Sequence, residues 1–142
     1  MATRSKTKTA NRIENKDRRP CAHANYVRIS PSKVRVVMNI VRGKSVNDAL
    51  AILKATPKAA SEVIYKVIAS ACANAEHNHN MARADLYVAE LYANGGPILK
   101  RVNPVSKGRA YRINKRTSHI TAILDEMKAV SYTHLTLPTT SR

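Results

Sequence analysis

Apolar residues recur along this chain at two spacings, and each spacing predicts a different kind of element. Between residues 30 and 80 they recur every three or four positions, which is typical of amphipathic helices. Between residues 85 and 93, the run DLYVAELYA has the composition of a strand with apolar side chains on both faces. Helices followed by strands predict an α+β domain.

Start and stop signals divide the first region into three helices. The Ser-Pro pair at residues 30–31 provides an N-cap and a proline at the first helical position, and Gly43 suits a left-handed cap at the other end. Ser45 and Asp48 resemble a capping box that opens a second, short helix. A third helix is predicted over residues 57–78, with a stripe rich in alanine.

Three segments are predicted to form strands of the body. Residues 22–29 form a short strand, residues 85–93 form a strand expected to be central, and residues 112–124 return the chain to the body. The predicted fold is three helices packed on a small three-stranded antiparallel sheet, with a long protruding β-hairpin. The expected core residues are Val37, Val41, Leu50, Ile64, Val67, Leu86, Val88 and Ile123.

The segment GGPILKRVNPVSKGRAYRINKR, residues 95–116, contains seven basic residues and no acidic residue. Turn signals at residues 103–104 (Asn-Pro) and 107–108 (Lys-Gly) lie near its middle. Because seven like charges repel each other without a counter-charge, an arm lying among phosphates is favoured over a solvated loop without a partner. The cations are Lys100, Arg101, Lys107, Arg109, Arg112, Lys115 and Arg116.

The net charge of +16 is unevenly distributed. Residues 1–44 carry +10, residues 95–116 carry +7, and the remaining residues carry −1. A neutral middle between two cationic segments is typical of a domain that grips a polyanion. A membrane-surface protein would need bulky apolar anchors, and the chain has no Trp and no Phe, so nucleic acid is the better partner.

A second cationic cluster belongs to the first predicted helix. Lys33 and Arg35 fall in its first turn, and Arg42 and Lys44 follow its end. Cations at the start of a helix oppose its dipole, which favours contact with an external anion over an ordinary surface role.

The segment ANAEHNHN, residues 73–80, invites a metal-site interpretation but lacks zinc-ligand spacing. A polar helix end with hydrogen-bonding side chains is the favoured interpretation, and we predict no metal and no cofactor. There is no GxGxxG, P-loop or nucleophile elbow, so the sequence does not predict an enzyme.

The chain is predicted to contain one domain and two flanking segments. Residues 1–20 are a basic, flexible extension, and residues 21–128 are a single domain that includes the arm at 95–112. Residues 129–142 are atypical, and we expect them to be non-native or disordered. Neither a bilayer-spanning run nor a hydrophobic stretch near Met1 is present, so we expect a cytoplasmic protein.

Four motifs occur in a fixed order: SPSKVRVVMNIVRGK, ANAEHN, GGPILKRVNPVSKGRA and INKRTSHI. Together, over about residues 20–128, they resemble the bacterial large-subunit ribosomal protein L twenty-two family. The resemblance implies a small α+β domain on the outer face of the large subunit, near the exit of the peptide tunnel. It also implies a hairpin, here residues 96–111, that passes through 23S rRNA and forms part of the tunnel wall.

The resemblance also implies site residues and partners. Positions expected near rRNA, besides the arm cations and Lys44, are Lys33, Arg35, Arg42, Asn74, His77 and Asn78. The tip, where changes in this family are linked to macrolide resistance, consists of Val102, Asn103, Pro104, Val105, Ser106, Lys107, Gly108, Arg109 and Ala110. The implied partners are 23S rRNA, neighbouring ribosomal proteins and, transiently, the nascent polypeptide, with no membrane and no homo-oligomer.

One other class of function is open to the sequence, a free architectural protein that bends or coats DNA. Such a protein would normally show a dimer-forming surface or a helix that reads a groove. A single long arm fits neither requirement, so the ribosomal interpretation is favoured.

Overall fold

The fold is described by a computed structural model that covers residues 4–14 and 17–127. In chain order the elements are α1 (Arg4–Glu14), β1 (Cys21–Val27), α2 (Pro31–Val41), α3 (Val46–Ala55), α4 (Ala59–His79), a 3₁₀ turn (Arg83–Asp85), β2 (Leu86–Gly95), β3 (Leu99–Pro104), β4 (Ala110–Lys115) and β5 (Ser118–Glu126). The predicted α+β class is confirmed: α2, α3 and α4 accompany a three-stranded antiparallel sheet, and β3 and β4 form a separate hairpin. The predicted tail at 129–142 lies outside the described residues.

A local cap marks one end of each of the three helices of the body. Gly43 follows α2 with a φ of 77°, the left-handed conformation predicted for its end. At the start of α3 the Ser45 Oγ accepts the Asp48 N–H at 3.2 Å and donates to the Asp48 carboxylate at 2.7 Å. Helix α4 is capped at its C-terminus by Asn80, which also has a positive φ. All three predicted helices are confirmed, and the predicted bounds of α4 differ from the observed ones by one or two residues.

The strand order of the body sheet is β1-β5-β2, so β5 is central. The prediction that β2 would be central is wrong. The free edge of β2 is covered by the turn before α3 rather than by a strand: the Gly43 N–H donates to Val88 O at 2.8 Å, and the Val88 N–H donates to Lys44 O at 2.9 Å. Its outward apolar side chains include Tyr92, which is 46% exposed, so apolar residues on both faces do not identify a central strand here.

The core lies between the helices and one face of the body sheet. Ile64 and Ile68 of α4 are fully buried, as are Ile120 and Leu124 of β5. Seven of the eight predicted core residues are buried, and the prediction for Ile123 is wrong. Ile123 is only half-buried because it alternates with Leu124 and faces the side of the sheet away from the core.

The basic extension contains an element that its sequence pattern did not predict, the helix α1. None of its residues is buried. No proline or glycine interrupts Arg4–Glu14, so nothing in the backbone opposes a helix there even though no apolar stripe marks one. Among the described residues no helix is long and apolar enough to cross a bilayer.

The hairpin of β3 and β4, called the arm below, is an interrupted continuation of the β2–β5 pair. Its base is closed by two hydrogen bonds, from the Gly96 N–H to Thr117 O at 2.9 Å and from the Thr117 hydroxyl to Pro97 O at 2.7 Å. A Cβ on Gly96 would lie 2.5 Å from the Thr117 Oγ1, so the close approach of the two chains requires glycine.

The tip of the arm turns at Lys107 and Gly108, which have φ values of 59° and 69°. Positive φ at both central positions is typical of a type I′ hairpin turn. The predicted turn signal at 107–108 is thus confirmed, whereas the one at 103–104 is wrong because Asn103 and Pro104 are the last residues of β3. Pro104 is accommodated there because the arm's strands have open edges.

The arm contributes nothing to the core, so the body should fold without it. No apolar residue between 94 and 117 belongs to the buried cluster, and every residue from 100 to 116 is exposed. Replacing residues 102–110 with a short turn should leave a cooperative unfolding transition with a midpoint within a few degrees of the parent protein's. By contrast, Ile64→Ala should lower the free energy of unfolding by about 2–5 kcal/mol through the cavity it leaves.

Denaturant unfolding followed by circular dichroism checks both expectations. Loss of cooperativity in the deletion variant, with Ile64→Ala still cooperative, would show that the arm supports the fold.

Candidate nucleic-acid interface

The register of β3 and β4 distributes the arm's cations over both faces of the hairpin. Directly opposed residues of an antiparallel pair share a face. The first face, called the Arg101 face, contains Leu99, Arg101, Asn103, Tyr111, Ile113 and Lys115. The second, called the Arg112 face, contains Lys100, Val102, Pro104, Ala110, Arg112 and Asn114. Each face therefore presents two cations, with Lys107 and Arg109 at the tip and Arg116 at the base.

None of these cations has an acidic partner in the part of the chain that the structure describes. The ion pairs found there join Arg19 to Asp17 and Glu90, and Lys66 to Glu62. Two unit charges about 8 Å apart in water repel each other by roughly 0.5 kcal/mol, so a row of unpaired cations gains from an external anion. The regularly spaced phosphates of a nucleic-acid backbone provide that counter-charge.

Exposed apolar groups lie between the charges on both faces of the arm. Val102, on the Arg112 face, is 69% exposed, and Tyr111, on the Arg101 face, is 64% exposed. Such groups suit contact with base and sugar surfaces, which are apolar between phosphates. Tyr111 was not among the predicted site residues, although an aromatic residue within a basic run is a sequence signal for such a contact.

Two of the predicted RNA-contacting arginines bond to the edge of the body sheet. Arg35 donates from Nε and Nη2 to Ala93 O at 3.1 and 2.8 Å. Arg42 donates from Nη2 to Leu91 O at 2.7 Å and from Nη1 to Asn39 Oδ1 at 3.0 Å. The carbonyls of Ala93 and Leu91 point away from β5 and have no partner strand in the described chain, so these contacts satisfy them. Both arginines therefore have a role in the fold. Each guanidinium keeps donors that these bonds do not use.

The other predicted body residues fall into two groups. Lys44 is exposed beside the β2 edge, where its carbonyl accepts from the Val88 N–H, whereas Lys33 is exposed in the first turn of α2, beside Lys58 and Ala59 at the start of α4. His77 and Asn78 are exposed in the last turn of α4, where the Asn74 side chain donates to Cys21 O at 2.9 Å. Since β1 and β2 are opposite edges of the body sheet, the predicted site residues other than Lys33 form three surfaces: the arm, the β2 edge and the β1 edge.

A cleft that the sequence analysis missed lies at the base of the arm. Its volume is about 410 Å³ and its lining is polar and cationic. The lining residues are Arg28, Ser30, Asn114, Lys115 and Arg116. Arg28 was missed because nothing in its local sequence links it to residues almost ninety positions later.

Among the described residues, the cysteine and histidine side chains do not gather into a metal-binding group. Within residues 4–14 and 17–127, no group of three or more His, Cys, Asp or Glu side chains is placed to hold a metal ion. Cys21 is exposed, Cys72 is buried, and both thiols are free. Burial raises the pKa of the Cys72 thiol, and the nearby Glu76 carboxylate raises it further.

Comparison with known proteins agrees with the motifs. The family model for ribosomal protein L22p/L17e matches residues 22–125. Over 105 residues the chain is 59% identical to the large ribosomal subunit protein uL22 of Clostridium novyi, covering 74% of this chain and 95% of the relative. Over 107 residues it is 57% identical to the protein of the same name from Desulfitobacterium hafniense, covering 75% of this chain and 94% of the relative.

The edge contacts of the arginines predict a stability effect that is separate from nucleic-acid binding. Arg35→Ala and Arg42→Ala should each lower the free energy of unfolding by about 1 kcal/mol, because each leaves a strand-edge carbonyl without its charged donor. Lys33→Ala is the matched control, since Lys33 is exposed on the same helix, and it should change stability by less than about 0.5 kcal/mol. Denaturant titration of the free protein measures all three. Equal values for the arginine variants and the control would refute a structural role.

Proposed function

The chain belongs to the ribosomal protein L22p/L17e family and is a structural constituent of the large ribosomal subunit rather than an enzyme, and within that subunit we propose that its arm lies enclosed by 23S rRNA. The body would contact rRNA and neighbouring ribosomal proteins. The tip would reach the wall of the nascent-peptide exit tunnel, and binding would support subunit assembly.

The single observation that carries the proposal is the placement of cations on both faces of the arm. A hairpin that lay on a flat RNA surface would need cations on one face only. Here Arg101 and Lys115 point to one side, and Lys100 and Arg112 point to the other. Because neither face packs on protein among the described residues, RNA on both sides is the arrangement that pairs all of these charges.

The tip is suited to contact with a passing polypeptide. At the outer end of the tip, residues 105–109, the only aliphatic side chain is Val105, which is 38% exposed, while Val102 lies farther back on β3. A small, mostly polar tip offers little apolar area to which a nascent chain could adhere. This supports a place in the tunnel wall, which the family resemblance implies.

Binding to rRNA should depend strongly on salt. If six to eight cations each contact phosphate, affinity should fall roughly 10³- to 10⁵-fold between about 50 and 200 mM salt. Replacing Lys100, Arg101 and Arg109 with glutamine should reduce the slope of log affinity against log salt by about two to three. Filter binding to a 23S rRNA transcript measures the slope.

A matched control replaces three exposed lysines of the body, Lys54, Lys58 and Lys66. This variant removes the same charge but should change the slope by less than about one. Equal slopes for the two triple variants would refute the arm as the main contact, and a salt-independent affinity would refute phosphate binding altogether.

The tunnel position of the tip predicts a phenotype without an assembly defect. Deleting residues 105–107 should leave the protein in large subunits while changing growth in erythromycin and stalling on arrest peptides. The control is Tyr111→Ala, which lies next to the tip and keeps its length. An unchanged response in both assays, with the shortened protein confirmed in ribosomes by mass spectrometry, would place the tip away from the tunnel.

A further inference from the structure

Tyr26 occupies an unusual position at the end of β1 nearest the arm. Its φ is 58°, in the left-handed region. The other non-glycine residues with positive φ in the described chain are Asn80, which caps α4, and Lys107, which forms the arm's turn. A bulky aromatic residue rarely adopts this conformation, and backbone strain of this kind is concentrated at functional sites.

The strain arises from a bulge in β1. Ala24 pairs with Ile120 and Val27 pairs with Ser118, so Asn25 and Tyr26 together oppose a single residue, His119. Such a bulge redirects a side chain that regular pairing would place elsewhere. Tyr26 is consequently 66% exposed, although its neighbours in the strand pair with β5.

His119 fixes the orientation of the displaced tyrosine. The Tyr26 N–H donates to His119 Nδ1 at 3.1 Å, which satisfies the backbone donor that the bulge removes from the strand pair. The two rings meet edge to face, with centroids 4.8 Å apart and planes at 83°. The contact with His119 covers part of the Tyr26 ring, and the high exposure of Tyr26 leaves the rest of the ring open to solvent.

The surroundings of Tyr26 favour an anionic partner with a flat apolar part. Arg28, two residues along the chain, lines the cationic cleft at the base of the arm together with Lys115 and Arg116. The carboxylates of the body sheet lie elsewhere: Asp125 and Glu126 are at the far end of β5.

The remaining carboxylate of the sheet, Glu90, is paired with Arg19 at 2.8 Å. A nucleotide, with a base for the ring and a phosphate for the cleft, matches this combination of groups.

We propose that Tyr26, held by His119, is a stacking platform for one unpaired base of 23S rRNA, whose adjacent phosphate lies in the cleft lined by Arg28 and Arg116. This inference rests on the proposed function and adds to it a contact that reads an unstacked base rather than the phosphate backbone. The bulge positions the ring before binding, so little conformational entropy is lost when the base stacks.

Two substitutions separate the ring from the backbone conformation. Tyr26→Asn removes the ring but tolerates positive φ, and Tyr26→Phe keeps the ring and removes only the hydroxyl. Affinity for a 23S rRNA transcript should fall about 5- to 150-fold for Tyr26→Asn, the range measured for loss of one stacked base, and should change less than about twofold for Tyr26→Phe. The salt slope should be unchanged in both, since neither removes a charge.

Chemical probing of the same complexes locates the base. One nucleotide that the parent protein protects from a base-specific reagent should become reactive with Tyr26→Asn and stay protected with Tyr26→Phe. Parent-like affinity and protection with Tyr26→Asn would overturn the platform, as would a reduced salt slope, which would show that cations had been displaced. Failure of the parent protein itself to bind the transcript would instead overturn the proposed rRNA binding on which the platform rests.

Discussion

The pairing of β2 with β5 is the interaction on which the rest of this structure depends. The two strands are joined by nine registered residue pairs in the body and continue, after a short break, into the two strands of the arm. The arm has no core of its own, so its direction is set where it leaves the body. Core residues such as Leu91 and Ile120 bury one face of the pair and hold that base in place.

The body therefore serves as an anchor, and its polar contacts are arranged to keep the sheet closed. Strand β5 is paired on both sides, whereas β2 and β1 have open edges that the protein covers by other means. Arg35 and Arg42 donate to carbonyls of the β2 edge, and Asn74 donates to the β1 edge. The same side chains carry the donors that the family resemblance implies for rRNA. In the body, residues that support the fold are therefore also proposed to bind rRNA, whereas no cation of the arm has an acidic partner among the described residues.

Features that depend on a few neighbouring residues could be predicted from the sequence, and features that depend on distant pairing could not. The left-handed Gly43 after α2, the Ser45 cap of α3 and the turn at Lys107 were predicted correctly because each is a local signal, whereas the Ser30 side chain makes no capping hydrogen bond at the start of α2. The prediction of a central place for β2 in the sheet was wrong because strand order depends on partners more than 20 residues away. The acceptor of Arg35 lies 58 positions along the chain, and the bulge that exposes Tyr26 is created by its pairing with β5, so neither role could be read from local pattern.

The claim that rRNA encloses the arm is tested most directly by cleavage from probes tethered to its two faces. In a Cys21→Ser background, which leaves only the buried Cys72, single cysteines at Asn103 and Val102 would carry iron-EDTA on the Arg101 face and the Arg112 face. Hydroxyl radicals generated in reconstituted large subunits should cut 23S rRNA from both positions, at different nucleotides. Strong cleavage from one position and none from the other would show that the arm lies on a surface and would contradict the account.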